Sequence, residues 1–392
     1  MRIAIFTEAY LPRINGVVTH IKLLKEGLEQ KGHQVLIVTA DADAEEHYIK
    51  DNVLHCPGIK LRKKLSGFET SVPVSRKRLN MVREFNPDLI HVETEFGMGL
   101  CGVTIAKMLK IPLVYTMHTM YDEYIYYIAP NPLVKVVKKI SHKYMKTFAN
   151  RANAITGPSV KCSEYLQSAG VKLPVNVIPN PVELDDFSPE HFDEEQKKAI
   201  RSKFNIPDDA FVVVFVGRLG REKSIDLLID YWSQTVKADE NMYLLIIGGG
   251  PEEEALRAQI QELGCGDRVI MSGRVEHPEL PPYLLASDIY VTASLSDTNS
   301  ISMLEGMAAG LPVLQRTDPL NADQISDGKN GWSFNNAQEM ADLLRKFKNM
   351  SESEKQQLKE STRQSIMNAG ADALAERTLE IYDLASIHKK NK

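Results

Sequence analysis

An α/β architecture of two Rossmann-like domains, each a parallel sheet wrapped by helices and the two facing across a cleft, is the fold class this sequence predicts. Three observations carry it. Short all-apolar runs alternate with amphipathic helical stretches, the rhythm of parallel strands buried on both faces. The rhythm stops at a Pro- and acid-rich segment, residues 180–209, and then restarts. The length of 392 residues suits two domains of roughly 100–200 residues each.

The elements follow in order. In the first half, apolar runs at 2–6, 34–38, 89–92, 113–116 and 154–156 read as strands, with helices between them at 18–29 and 76–85. Gly32-His33 ends the first helix in a loop. Segment 180–209 reads as a linker plus an entry helix. Strands resume at 211–216, 243–247, 268–271, 289–292 and 312–314. A last helical pattern at 371–385 can pack back on the first domain. The expected boundaries are 1–180, 181–370 and a terminal helix within 371–392.

Composition narrows the function classes. With 43% hydrophobic and 25% charged residues, the balance is that of a globular protein and excludes a fibrous or disordered chain. No apolar run approaches the ~18–20 residues that span a bilayer. The opening Met1-Arg2-Ile3-Ala4-Ile5-Phe6 is too short for a signal-peptide core, so a cytosolic protein is expected. The cysteines, Cys56, Cys101, Cys162 and Cys265, have neither zinc-site nor disulfide-framework spacing.

Charge is unevenly spread. Residues 1–180 hold 24 Lys+Arg against 16 Asp+Glu, a balance of +8, and the remainder is −13. A basic first half points to an anionic partner. Nucleic acid is disfavoured by the absence of any RNP-like, zinc-finger or helix-turn-helix signature. Basic clusters lie at Lys60 to Lys64, at Arg76 to Arg78 and along 133–151. In the last of these, Leu133, Val137, Ile140, Tyr144 and Phe148 fall at helical spacing, with Lys135, Lys138, Lys139, Lys143 and Lys146 on other faces. Such a helix can lie in a lipid interface, or its stripe can pack on the domain core with the lysines in water.

Four stretches carry candidate chemistry. Asn15-Gly16 precedes the first helix, so amides there can face an anion, and the pair equally reads as a plain turn. Arg218 and Lys223 follow the strand at 211–216, where ligands sit in open parallel sheets, and can pair with a diphosphate. Thr298, Asn299 and Ser300 can cap a helix that carries Glu305 in its second turn, with Asp297 just ahead of it. The N-terminal amides of that helix can bind phosphate and the carboxylates can accept from hydroxyls; the bland reading is a capped surface helix. His118 follows the strand at 113–116, and the tyrosines from Tyr115 to Tyr127 suggest a shaped pocket with polar tips.

Together these features resemble the retaining GT-B glycosyltransferases of family four over nearly the whole chain. The matching residues are the turn from Pro12 to Gly16, the loop with Gly217, Arg218, Leu219 and Lys223, and the acidic pair Asp297 and Glu305 followed by Met307 to Val313. Asn15-Gly16-Val17, His91-Val92-Glu93-Thr94-Glu95-Phe96 and His118-Thr119-Met120-Tyr121 are similar to bacterial diacylglycerol glucosyltransferases. The resemblance implies that Gly16 and the amides near Asn299, Ser300 and Ile301 hold the diphosphate with Arg218 and Lys223. It implies that Glu305 binds the donor ribose, Asp297 the sugar hydroxyls, and Val275, in loop 272–276, the base. His118 stands beside the reacting sugar.

The reaction so implied moves glucose from UDP-glucose to a diacylglycerol hydroxyl, the activity of a 1,2-diacylglycerol 3-glucosyltransferase. The first domain takes the lipid acceptor and the second the nucleotide-sugar. Neither metal nor further cofactor is expected, nor nucleic acid; the anionic inner face of the cell membrane is the expected surface partner. Two other readings stand beside it: the same fold with another donor and acceptor, such as mannose to phosphatidylinositol, and a catalytically silent accessory protein. Asp297 stands where the family usually has Glu, Ser300 where Gly is usual, and Ile178-Pro179-Asn180-Pro181 has Pro where Gly is common. Asp41-Ala42-Asp43 has the Asp-x-Asp form used for Mn²⁺ in a different glycosyltransferase fold, but reads here as a solvated loop after a strand.

Overall fold

A computed structural model of the chain describes residues 1–60, 69–129 and 131–390. It divides into two compact units, Met1–Pro181 with Gly370–Lys392, and Val182–Ala369.

Unit 1 is built on strands β1 (Arg2–Thr7), β2 (Gln34–Asp41), β3 (Tyr48–Lys50), β4 (Val53–Pro57), β5 (Ile59–Lys60), β6 (Glu69–Thr70), β7 (Leu89–Val92), β8 (Leu113–Thr116), β9 (Ala154–Gly157) and β10 (Val175–Val177). Its helices are α1 (Gly16–Gln30), α2 (Arg76–Phe85), α3 (Gly97–Leu109), α4 (Ile125–Ile128), α5 (Val134–Ala149) and α6 (Val160–Ser168). The main sheet runs β10-β9-β8-β7-β1-β2-β4-β3, parallel except for the β3–β4 pair, and β5–β6 form a separate ribbon. β1, β7, β8 and β9 are almost wholly buried because helices cover both faces, which is why their sequences are largely apolar rather than alternating. α1 starts where Asn15 Oδ1 accepts from the Val18 amide at 3.1 Å, and stops before Gly32 at φ +80°.

Unit 2 carries α7 (Glu194–Lys203), β11 (Phe211–Val216), α8 (Ile225–Thr235), β12 (Met242–Ile247), α9 (Glu253–Glu262), β13 (Val269–Gly273) and α10 (Leu280–Leu285). It continues with β14 (Ile289–Thr292), α11 (Ile301–Ala308), β15 (Val313–Arg316), β16 (Gly331–Phe334), α12 (Ala337–Lys348) and α13 (Glu352–Ser365). Its parallel sheet runs β13-β12-β11-β14-β15-β16, so the expected pair of Rossmann-like sheets is present. The last helix, α14 (Ala371–Lys390), belongs to unit 1, where Leu374, Ala375, Ile381, Tyr382 and Ala385 join the core with Ile3, Ile5, Leu24 and Val114.

The structure bears out the entry helix of 180–209 as α7 and corrects the linker read ahead of it, which is packed into unit 2 from Val182 on. The Val182 amide donates to the Ala369 carbonyl at 2.8 Å, Phe187 is fully buried, and α7 opens with a capping box of Asp193 and Gln196. The segment is part of unit 2, and its Pro and acid content reflects caps and turns. The short strands β3 to β6, β10 and β16 had no apolar run to announce them.

Candidate functional site

In unit 2, β11 and β14 are parallel neighbours from which the strand order departs in opposite directions, so the topological switch point lies between them. The loops leaving their carboxyl ends carry most of the predicted residues. Arg218 donates to Glu222 Oε1 at 3.0 Å. Lys223 ends the turn Arg221–Lys223, and its ammonium pairs with the Asp297 carboxylate on the loop after β14. The hydroxyls of Ser294 and Ser296 donate to the Glu222 carbonyl at 3.4 and 2.8 Å, and those of Tyr290 and Ser302 to the Val216 carbonyl at 3.1 and 2.9 Å. These bonds fix the two loops against each other.

Ser300 is the N-cap of α11; its Oγ accepts from the Met303 amide at 3.4 Å. Its φ of −73° suits any L-residue, so serine in place of glycine adds no backbone strain. Ile301 is the first helical residue, and Asn299 lies buried just ahead of it. Two cations and a helix N-terminus at one sheet end are suited to an anion.

Glu305, in the second turn of α11, is buried and accepts from His277 Nε2 at 2.8 Å. Burial pushes its carboxyl above the ordinary value, and the hydrogen bond from His277 pulls it back in part. His277 also has Nδ1 4.0 Å from Glu183 Oε2. Val275 follows β13, two strands from β11, half-buried against the cluster that holds Tyr283 and Leu284. Sequence reasoning assigned nothing to His277 or Glu222.

In unit 1 the switch point lies between β1 and β7. Gly16 opens α1 after the loop that leaves β1, and His118 lies two residues beyond β8. His118 Nε2 donates to Glu93 Oε2 at 2.7 Å, Glu93 being the first residue past β7. The ring of His20, from α1, meets that of His118 edge-on at 4.7 Å. Burial pushes both imidazoles down to about 4, so both are neutral near pH 7. With its Nε2 hydrogen committed to Glu93, His118 keeps Nδ1 as an acceptor, suited to a sugar hydroxyl. The ligand atoms of His20, Glu93 and His118 lie within 4.8 Å of one another, compact enough to hold a metal ion.

Two of the predicted tyrosine tips, Tyr115 and Tyr121, turn inward to a buried carboxylate, with Tyr144 beside them. Tyr115 donates to Glu95 Oε1 at 2.6 Å, Tyr121 donates to Oε2, and Tyr144 donates to the Glu95 carbonyl. Burial pushes the Glu95 carboxyl up to about 7. The available signal for Glu93 and Glu95 was their place directly after a short, mostly apolar strand, at the ligand-bearing end of a parallel sheet. Asp41 ends β2 and accepts from Tyr48, His55 and the Asp43 amide at 3.2, 3.0 and 3.0 Å.

The basic surface differs from the expected one. Arg78 is fully buried and donates to the Val72 carbonyl and Ser71 Oγ at 2.8 and 2.7 Å, so it belongs to the interior. Lys77 pairs with Glu46 at 2.7 Å. Of the cluster from Lys60 to Lys64, positions 61–64 lie outside the described residues. The stripe along α5 splits. Phe148 is in the core and Tyr144 is tied to Glu95, whereas Leu133 and Ile140 of the stripe are 51% and 63% exposed, with Val136 beside them at 54%. Lys135, Lys138, Lys139 and Lys143 surround them at the surface. Among the described residues no helix is long and apolar enough to cross a membrane.

Comparison with known proteins follows this geometry. The family model Glycosyltransferase Family 4 matches residues 14–186, and Glycosyl transferases group 1 matches 196–365. An alpha-monoglucosyldiacylglycerol synthase of Acholeplasma laidlawii is 34% identical over 352 residues, 88% of this chain and 87% of that protein. A GDP-mannose-dependent alpha-mannosyltransferase of Corynebacterium glutamicum is 26% identical over 84% of this chain and 76% of that one. The structure of Anabaena HepE in complex with UDP superposes with a TM-score of 0.72 over 97% of this chain and 99% of that one, at 18% identity, a likeness of fold.

Proposed function

The chain belongs to the GT-B glycosyltransferases of family four, and on that premise we propose that it moves glucose from UDP-glucose to the hydroxyl of diacylglycerol, with retention at the anomeric carbon. The observation that carries the proposal is the meeting of Arg218, Lys223 and the N-terminus of α11 at the switch point of unit 2. A nucleotide-sugar needs such an arrangement, because its diphosphate gains charge as the bond to the sugar breaks. Arg218, Lys223 and the amides from Asn299 to Ile301 offset that charge. Asp297 accepts from sugar hydroxyls, Glu305 from the ribose, and Val275 lies against the base. In unit 1, His118 accepts from a hydroxyl of the transferred sugar and Gly16 offers its amide to phosphate.

The acceptor hydroxyl attacks the anomeric carbon on the face the diphosphate leaves. The new C–O bond forms as the sugar–phosphate bond breaks, and the hydroxyl proton passes to the departing phosphate oxygen. No metal takes part. Glucose and diacylglycerol are supported by the likeness to the alpha-monoglucosyldiacylglycerol synthase of Acholeplasma laidlawii. The lysine-framed apolar end of α5 supports peripheral attachment to an anionic membrane face. The mannosyltransferase relative makes GDP-mannose the rival donor.

A donor-by-acceptor panel tests the proposal. Purified protein is incubated, with excess chelator, with UDP-glucose, UDP-galactose, UDP-GlcNAc or GDP-mannose and anionic vesicles with or without diacylglycerol. Glycolipid formed from UDP-glucose only when diacylglycerol is present is the expected result. Transfer from GDP-mannose instead would overturn the donor, and glycolipid made without diacylglycerol would overturn the acceptor.

A further inference from the structure

Behind His118 the buried polar groups of unit 1 form a connected string that reaches the C-terminal helix. Tyr382, on α14, has its hydroxyl 2.9 Å from His91 Nδ1, with the two rings edge-on at 5.5 Å. His91 Nε2 is 2.6 Å from Thr116 Oγ1, which is 2.6 Å from Thr156 Oγ1. His91 Nδ1 also stands 3.5 Å from Glu93 Oε1, and Glu93 Oε2 accepts from His118. Tyr382, His91 and Glu93 are all buried, and Glu93 Oε1 has no hydrogen-bond partner among the described residues.

The hydrogens along this string can be placed. Burial pushes His91, like His118, down to about 4, so each neutral ring carries one N–H. Burial, and then the charge of Glu93, push the Tyr382 phenol well above its ordinary value, so it keeps its proton. A lone pair on His91 Nδ1 would face the Glu93 carboxylate and repel it, so the ring hydrogen sits on Nδ1. Thr116 then donates to Nε2, and the Nδ1 hydrogen lies between the Tyr382 oxygen and Glu93 Oε1. Tyr382 therefore sets how His91 is turned, and the Nδ1 edge of His91 faces the buried Glu93 oxygen that His118 does not bond.

Tyr382 is delivered rigidly. A Cβ on Gly27 of α1 would come within 2.2 Å of the Ala371 carbonyl oxygen and 2.8 Å of Ala375 Cβ, so α1 and α14 touch backbone to backbone. Lys31, the C-cap of α1, pairs with Asp372 and Glu376 of α14 at 2.6 and 3.0 Å. The helix end is tied by His388 Nδ1, 3.0 Å from the Asn153 carbonyl.

We propose that Tyr382 is a positioning residue for sugar transfer: through His91 it fixes Glu93, and through Glu93 it fixes the tautomer and orientation of His118. The inference rests on the reading that His118 acts on the transferred sugar. It gives the C-terminal helix a part in the chemistry without contact with substrate.

The test uses the full-length chain with Tyr382→Phe, Glu93→Gln, the double variant and His118→Ala. Two readouts are taken: turnover of UDP-glucose with diacylglycerol vesicles, and the ¹⁵N imidazole signals of His91 and His118. Tyr382→Phe keeps the ring and its packing, and its thermal unfolding within a few degrees of the wild type checks that α14 stays seated. The expected result is a fall in kcat of about tenfold with donor KM within about twofold, the mark of a misplaced group rather than lost binding. The imidazole signals of both histidines shift. In the Glu93→Gln background, Tyr382→Phe has no further effect, because the string is already cut. Equal losses in both backgrounds, or a His118 signal unmoved by Tyr382→Phe, would overturn the positioning role. Full turnover by His118→Ala would instead overturn the reading of His118, and with it any role for Tyr382 in transfer.

Discussion

The Lys223 ammonium is hydrogen-bonded to the Asp297 carboxylate, joining the loop after β11 to the loop after β14. The pair is partly exposed, with side chains at 18% and 23%, so solvent and substrate can both compete for it. On the proposed reading a diphosphate draws Lys223 away from this pair and leaves Asp297 to sugar hydroxyls. Lys223→Ala removes one stabilising donor from the leaving group and is expected to lower kcat/KM by roughly 10²–10³-fold. Asp297→Glu lengthens the acid by one methylene on a loop whose partner can shift with it, and is expected to stay within about threefold of the wild type. Steady-state kinetics with the donor checks both. A large loss for Asp297→Glu would show that the shorter acid is a requirement of this site.

Ser300 acts in the fold through its hydroxyl, which caps α11. Ser300→Ala is expected to cost about 1 kcal/mol of stability, and Ser300→Gly only a few tenths. Urea unfolding measures the difference. Because the backbone at Ser300 is unstrained, glycine brings no conformational relief. Donor KM is therefore expected to change by less than about threefold in Ser300→Gly.

His277 donates to the buried Glu305, the carboxylate proposed to meet the ribose. Without its donor, the buried carboxyl turns toward its protonated form and loses its fixed geometry. His277→Ala is expected to raise donor KM by about tenfold with kcat nearly unchanged, since the ribose contact is made alike before and during the reaction. A fall in kcat at constant KM would contradict this assignment.

Much of this was legible in the chain. Central strands such as β1 and β11 are apolar throughout because both their faces are covered, and that signal is local. The positions of Arg218, Lys223 and Asp297 were legible because each lies on a loop after a strand end, and that of Glu305 because Thr298 to Ser300 announce the helix that carries it. The partners were not. Glu222, His277 and Tyr382 act through contacts made by folding; Tyr382 meets His91 from 291 residues away. Arg78 shows the opposite error, the last member of a charge run that reads as a surface patch in the sequence and is an interior hydrogen-bond donor in the fold. Short edge strands, with little buried area, leave no pattern to read.

Glu95 makes stability depend on pH. Its carboxyl stands at about 7 in the folded chain against an ordinary 4.5, because burial disfavours the charge more than Tyr115 and Tyr121 favour it. Between those values the folded chain holds a proton that the unfolded chain has released. Stability is therefore expected to fall as pH rises through this window and to level off above it, by on the order of 3 kcal/mol from this group. Glu8, also raised by burial, acts with the same sign. Glu95→Gln has no proton to lose, so urea unfolding at pH 5, 6, 7 and 8 should show a flatter profile in the variant. Parallel profiles would mean that Glu95 does not titrate in this range.

The division of α5 into a core half and a solvent half predicts how the chain meets lipid. Leu133, Val136 and Ile140 are exposed where the lysines crowd, whereas Phe148 is locked in the core. An interface held by both apolar burial and charge should weaken in two separable ways. Ile140→Glu removes apolar contact and adds repulsion from anionic headgroups, yet touches no core residue, so folding is expected to be intact and binding to anionic vesicles to fall by about tenfold or more. Exchange of Lys135 and Lys139 for Gln lowers affinity only at low salt, since screening at high ionic strength already removes that part of the attraction. Vesicle co-sedimentation at two salt concentrations measures both effects. Binding that ignores Ile140→Glu, the lysine exchanges and salt alike would exclude α5 as the membrane contact.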